Sequence, residues 1–281
     1  MVFSGLFFLC IFLPVCLGLY YLIRNRTYRN WLLIIASLIF YAWGEPVWIS
    51  ILLLSTGLTY FSALIAEKHR GKIKGKTAFI FSVTGNLMIL VFFKYSCFVI
   101  NNINGLMGTG IKAPDVGLPI GISFYTFKLI SYLVDVYKGE TEAQKSPFKL
   151  LLYVSLFHQL LAGPISRYKD ISQAIDNRKE TFEDFNYGVS RFITGLGKKV
   201  ILAGTAGKIS GLFMGTDYTR LPLMGAWFGI LMYAIQLYFD FSGYSDMAIG
   251  LGRMFGFRYK ENFDYPYISK SATEFWRRWH I

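Results

Sequence analysis

The sequence ends on residues suited to proton transfer. Positions 269–280 run from Ser269 through Ser271, Thr273 and Glu274 to Trp276, Arg277, Arg278 and His280. A neutral imidazole titrates near neutral pH and can take the proton of an attacking alcohol, which is otherwise a poor nucleophile. Ser271 or Thr273 is placed to cap a helix, and Glu274 and Arg278 to pair at four-residue spacing. Trp276 and His280, with the same spacing, would share one helical face. The plainer alternative is an aromatic, basic helix lying at a membrane interface.

Three further clusters put polar groups inside apolar sequence. The stretch 236–246 carries Asp240, Ser242, Tyr244 and Asp246. On a helix Asp240 stands over Tyr244 and Ser242 over Asp246, whereas the two carboxylates face different sides and are not set to share a proton. Buried carboxylates need partners, and the nearby hydroxyls or an arginine such as Arg253 are candidates. The cluster reads either as a structural polar network or as the lining of a site. In 157–167, His158 and Gln159 end an apolar run closed by Gly163 and Pro164. His158 is either satisfied by a backbone carbonyl or turned into a polar cavity. In 117–128, Pro119 and Gly121 break regular helix ahead of Ser123, Tyr125, Thr126 and Lys128. Polar groups in lipid are costly, so each cluster is a functional candidate.

The elements that must position these groups are apolar helices. Of 281 residues, 54% are apolar, 18% aromatic and only 16% charged, and mean hydropathy is +0.41. A soluble domain carries about a quarter charged residues. Positions 2–23, 47–66, 77–100 and 223–251 each approach the ~20 residues that cross hydrocarbon. Stretch 31–43 is shorter, and 120–136, 148–161 and 187–212 carry charges suited to buried, re-entrant or interfacial helices. The fold class expected is all-α: a polytopic transmembrane helical protein with six to nine embedded segments. Residues 1–281 read as one domain without repeats, and 164–187 as a polar loop with a helix starting near Thr181.

Net charge is +12, but the basic residues flank apolar spans instead of forming a nucleic-acid-binding face. Arg24, Arg26 and Arg29 have no acidic neighbour, Lys68, Arg70, Lys72, Lys74 and Lys76 offset Glu67, and 101–116 holds only Lys112 and Asp115. Basic loops inside the cell place Met1 and the turn at 44–46 outside. No basic residue precedes the first apolar run, which reads as a retained span and not a cleaved signal. Cys10, Cys16 and Cys97 sit inside apolar blocks as small hydrophobes, without metal or disulfide spacing. No phosphate loop, dinucleotide-binding glycine run or metal-ligand cluster is present.

Together the clusters resemble the membrane-bound O-acyltransferase family, in its bacterial alginate O-acetylation branch. The matching strings are GISFYTFKLISYLVDVYKG (121–139), FHQLLAGPISRYKD (157–170), GLGKKVILA (195–203), YAIQLYFDFSGYSDMAIGLGRMFGF (233–257) and ENFDYPYISKSATEFWRRWHI (261–281), with the opening FSGLFFLCIFLPVCLGLYYL also typical of the branch. The resemblance implies acetyl transfer from an intracellular thioester donor, acetyl-CoA or an acyl carrier, to hydroxyls of an extracellular polysaccharide. It implies no bound cofactor or metal. Membrane lipid, the polysaccharide and a separate extracytoplasmic acetyltransferase are the implied partners, in a multi-pass plasma-membrane setting, with no nucleic acid.

By the same resemblance His280 is the catalytic candidate, assisting a second histidine that the family carries further along. Asp240, Ser242, Tyr244, Asp246, Trp276, Arg277 and His158 would line or support the substrate funnel. Because that second histidine is absent, the chain is expected to be the N-terminal part of a longer protein, its domain incomplete at the C-terminal end. Two rival classes are a non-catalytic membrane scaffold and an acyl or lipid transporter working with a separate transferase.

Overall fold

The computed structural model describes residues 1–281 except 45, 113, 115–116, 161–162, 165 and 216–220. Its helices are α1 (Leu13–Leu22, continuing a π-helical turn at Phe8–Phe12), α2 (Arg26–Ala42), α3 (Ile49–Lys68), α4 (Ile73–Met107), α5 (Ile122–Lys138), α6 (Pro147–Ser155), α7 (Phe157–Leu160), α8 (Tyr168–Asn177), α9 (Phe182–Gly197), α10 (Gly204–Met214), α11 (Leu223–Met254) and α12 (Ala272–Arg278). Among the described residues no strand forms beyond one bridge between Phe263 and Trp279. The protein is an all-α membrane protein.

Three described helices, α3, α4 and α11, are long and apolar enough to cross a bilayer, and Phe8–Leu22 is a shorter apolar helix. At 1.5 Å per residue, ~20 residues span the ~30 Å hydrocarbon layer. Residues such as Phe81, Met88 and Trp227 are exposed along these helices, which is how a lipid-facing surface looks without its lipid. Helix α4 runs well past the expected 77–100, so much of the expected 101–116 loop is helical. The stretch 164–187 is not a plain loop either. It folds α8 and the start of α9, because Tyr168, Ile171 and Ile175 supply a buried face within the polar sequence. Glu45 and Asp115, used in the loop reading, lie outside the described residues, as do Leu161, Ala162 and Ile165 of the second motif.

The chain divides into two compact units. One comprises Ile23–Leu161 and Arg167–Ile175. Several of its buried polar groups join one helix to another. Asn86 on α4 donates to Thr59 Oγ1 on α3 at 3.0 Å and to Ser82 O at 2.9 Å. Buried Lys128 on α5 donates from Nζ to Tyr153 O at 2.7 Å and to Gln159 Oε1 at 3.3 Å, and lies 4.5 Å from the Tyr153 ring centre. Arg70, in the turn between α3 and α4, donates to Val136 O at 2.9 Å.

The other unit comprises Met1–Leu22, Ala162–Ser166 and Asp176–Ile281. Helix α1 is anchored by Tyr20, whose hydroxyl donates to Glu180 Oε1 at 2.6 Å and accepts from Arg178 Nε at 2.9 Å. Thr181 caps α9 by accepting from Asp184 N at 3.0 Å, as the sequence led one to expect. Helices α9 and α11 then meet backbone to backbone. A Cβ on Gly195 would lie 2.5 Å from Gly243 O, and one on Gly250 2.6 Å from Gly188 O. Only glycine permits this approach, a packing mode common where no hydrophobic effect drives helices together in lipid. Helix α11 is apolar and exposed near its start and buried from Ser242 to Gly252.

Candidate active site

The close α9–α11 contact sets Arg191 of α9 and Lys198, which directly follows it, against a carboxylate of α11. Asp246 on α11 accepts from Arg191 Nε at 2.9 Å and from Lys198 Nζ at 2.6 Å. Arg191 also pairs with Glu261. Arg191 and Lys198 stand seven residues apart, two turns of helix, so both face α11. At Lys198 the chain widens into a π-helical stretch, Lys198–Ala203, that leads into α10. Such turns re-aim side chains and recur at functional sites. Here successive lysines reach different carboxylates, Lys198 to Asp246 and Lys199 to Asp240.

A cavity of about 710 Å³ opens between these groups, its lining including Tyr187, Arg191, Lys198, Tyr238, Ser242 and Asn262. Ser245, Asp246, Glu261 and Asp264 also border it. The Oγ atoms of Ser242 and Ser245 and Nδ2 of Asn262 are buried without a hydrogen-bond partner. Buried polar groups are ordinarily paired, so this concentration marks a place for a polar ligand or water.

His280 stands beside the cavity through Asn262. Residues 262–264 and 278–281 pair antiparallel: Asp264 N donates to Arg278 O at 2.9 Å and Ile281 N to Asn262 O at 3.0 Å. This brings His280 Nδ1 to 2.9 Å from Asn262 Oδ1. With Oδ1 as acceptor, Nδ1 carries the proton and Nε2 keeps its lone pair. The His280 ring lies 5.0 Å from that of Phe241, and partial burial lowers its pKa from the ordinary value of 6.5. The neutral imidazole, the form able to accept a proton, therefore dominates at neutral pH. His280 and Tyr265 both hold positive φ, 53° and 43°, a strained conformation for residues with a Cβ that clusters at functional sites.

Of the residues singled out from sequence, Ser242 and Asp246 border the cavity and His280 adjoins it. Tyr244 turns away and stacks on Phe3 at 4.8 Å. Asp240 is outside the lining, its side chain 54% exposed and paired with Lys199. Trp276 and Arg277 are exposed, and His158 is buried in the other unit, its ring 5.1 Å from that of Phe157.

Three local readings are corrected. Arg253 serves Asp184, not Asp240 or Asp246, at 2.6 Å. Burial alone would raise the Asp184 pKa, but hydrogen bonds from Arg258, Arg253 and Thr181 outweigh it and hold the carboxyl below its usual range. Trp276 and His280 do not share a helical face, because α12 stops at Arg278 and Trp279 is extended. Its cap and pair are as read: Ser271 Oγ accepts from Glu274 N at 3.1 Å, and Arg278 Nε donates to Glu274 Oε1 at 3.0 Å. Cys10 and Cys97 are on the surface, and only Cys16 is buried. The residues not foreseen were Arg191, Lys198, Glu261 and Asn262. The two-turn spacing of Arg191 and Lys198 in apolar sequence was the available signal, and Asn262 offered none.

The fold is a helical membrane scaffold that holds a polar cavity with a histidine beside it. The sequence pattern of the membrane-bound O-acyltransferase family matches residues 5–281, and the chain belongs to that family. It is 46% identical over its whole length to a probable alginate O-acetylase of Pseudomonas putida, covering 58% of that protein. It is 31% identical over its whole length to a peptidoglycan O-acetyltransferase of Helicobacter pylori, covering 59%. Over 58% of its length it is 32% identical to a teichoic acid D-alanyltransferase of Bacillus subtilis, covering 42%. The chain thus spans little more than half the length of these two O-acetylating relatives.

Proposed function

We propose that the protein carrying this chain is a membrane O-acyltransferase that moves acetyl from an intracellular thioester, acetyl-CoA or an acyl carrier, to hydroxyls of an extracellular polysaccharide. The observation that carries this reading is the polar cavity bordered by Asn262, whose side chain holds the His280 ring. The acceptor hydroxyl gives its proton to His280 Nε2 as its oxygen bonds to the thioester carbonyl carbon. Collapse of that adduct breaks the C–S bond, and the departing sulfur takes the proton back, leaving ester, thiol and neutral imidazole. His280 performs this together with the second histidine that the resemblance puts further along the sequence. Donors such as the Ser242 and Ser245 hydroxyls suit the developing oxyanion in a low-dielectric cavity.

The same reading makes the chain multi-pass in the plasma membrane with Met1 outside, supported by the basic runs 24–29 and 68–76, which suit the cytoplasmic side. An extracytoplasmic acetyltransferase that receives the group or completes its delivery is part of the proposal. Polysaccharide O-acetylation is favoured by the alginate and peptidoglycan O-acetyl relatives.

The test is polymer O-acetyl content in cells expressing the full-length protein with His280→Ala. A loss of at least roughly tenfold at unchanged protein level is expected of a lost proton-transfer group. Normal acetylation would remove His280 from the chemistry.

A further inference from the structure

Resting on the reading of His280 as a proton-transfer group, we infer that Asn262 is the positioning residue that fixes its tautomer and ring orientation, so that Nε2 and not Nδ1 is the reactive nitrogen. The geometry separates this role from ordinary loop packing. The two chain segments are already joined through backbone, by Asp264 N to Arg278 O and Ile281 N to Asn262 O. The Asn262 side chain is not needed for that pairing. It is nevertheless 1% exposed, with Oδ1 committed to His280 Nδ1 at 2.9 Å and Nδ2 buried without a partner. Burying an amide with one end unsatisfied costs stability, which a leucine of similar size would avoid. The cost is explained if the carbonyl end is required on the imidazole.

The choice of an amide over a carboxylate has a chemical consequence. A carboxylate on Nδ1–H would stabilise the imidazolium and raise the pKa of His280, whereas a neutral carbonyl orients the ring while leaving it neutral. Charged groups lie on every neighbouring element: Asp240 and Asp246 on α11, Arg191 on α9, Lys198 and Lys199 in the π-helical stretch, Glu261 and Asp264 on the paired segment, and Arg277 and Arg278 on α12. None is ion-paired to the His280 ring among the described residues. Asp246 and Glu261 are taken up by Arg191, Asp240 by Lys199, and Asp264 by Arg278. The Asn262 carbonyl is thus placed to orient the His280 ring without competition from a direct ion pair.

The experiment compares Asn262→Leu and Asn262→Asp with the unaltered full-length protein in membrane vesicles, reading thiol release from acetyl-CoA across pH with an alginate oligosaccharide as acceptor. Asn262→Leu keeps bulk and removes the acceptor. It is expected to lower kcat by roughly 10–100-fold, the usual effect of losing a group that orients a functional histidine, with KM for acetyl-CoA little changed. Asn262→Asp restores the acceptor and is expected to recover most of the rate. Its acid limb should move about one unit to higher pH, because a carboxylate now favours the protonated ring. Wild-type rate and pH profile in Asn262→Leu would overturn the inference. So would equal inactivity of both variants with the acid limb unmoved, which marks a purely structural role. If His280→Ala were fully active or unaltered vesicles released no thiol, the functional reading itself would fail. If His280 were essential and Asn262 dispensable, only the positioning role would fall.

Discussion

The two compact units differ in where their best-paired buried polar side chains lie. In the unit built on α2–α8, Asn86 is tied to Thr59 and Ser82, and Lys128 to Tyr153 and Gln159. These groups join one helix to another, and none of them lines the cavity described above. In the unit built on α1 and α9–α12, Asp246, Arg191 and Lys198 are equally well paired, yet they border a cavity of about 710 Å³ with serine and asparagine atoms left unsatisfied at its wall. A polar residue in a membrane helix is therefore a stronger functional candidate when it borders a cavity. When it faces another helix, it is one of the modest interhelical hydrogen bonds that hold such folds together.

The strongest way to break this contrast is to spoil the contact that sets α9 against α11. Gly195→Leu forces a side chain into the Gly243 backbone, where even a Cβ would sit 2.5 Å from oxygen. Overpacking of this kind costs about 3 kcal/mol. The expected outcome is loss of most folded protein, read as thermal unfolding in detergent. Unchanged stability would mean that the helices do not meet as described.

A smaller effect separates the cavity wall from its surroundings. Asp246→Asn removes the negative charge shared by Arg191 and Lys198, and its expected stability cost is about 1–2 kcal/mol, since Glu261 still holds Arg191. O-acetylation should fall by roughly tenfold or more, as expected when charges fixed around a reacting centre are disturbed. Asp240→Asn, on a carboxylate that is more than half exposed, should leave acetylation within about twofold, because exposed ion pairs contribute little. Equal effects of the two substitutions would abolish the distinction between wall and exterior.

How much was legible beforehand follows the same line. Apolar runs announced α3, α4 and α11, because lipid imposes a composition that length alone reveals. The helix start near Thr181, the cap at Ser271 and the Glu274–Arg278 pair are local and were readable for that reason. The partners of Asp246 were not, since they come from another helix and depend on the glycine contact that brings α9 close. Arg253 was a reasonable candidate by proximity in sequence, but Asp184 claims it across a separation that no periodicity records. The Asn262–His280 pair needed a chain reversal after α12 that helix-based reading of Trp276 and His280 could not supply. The motif strings held Ser242, Asp246 and Asn262, while tertiary contact decided which of their residues face the cavity.

Chemical access to the cavity wall tests the central claim most directly. In a protein with Cys10, Cys16 and Cys97 replaced, Ser242→Cys and Ser82→Cys can be exposed in turn to a small water-soluble thiol reagent in native membranes, with labelling followed in time. Both serines are buried by side-chain exposure, but only Ser242 borders the cavity. Thiols react in proportion to access and thiolate content, so Ser242→Cys should label at least roughly tenfold faster than Ser82→Cys. Equal inertness of the two would contradict an open cavity and place Ser242 in solid packing.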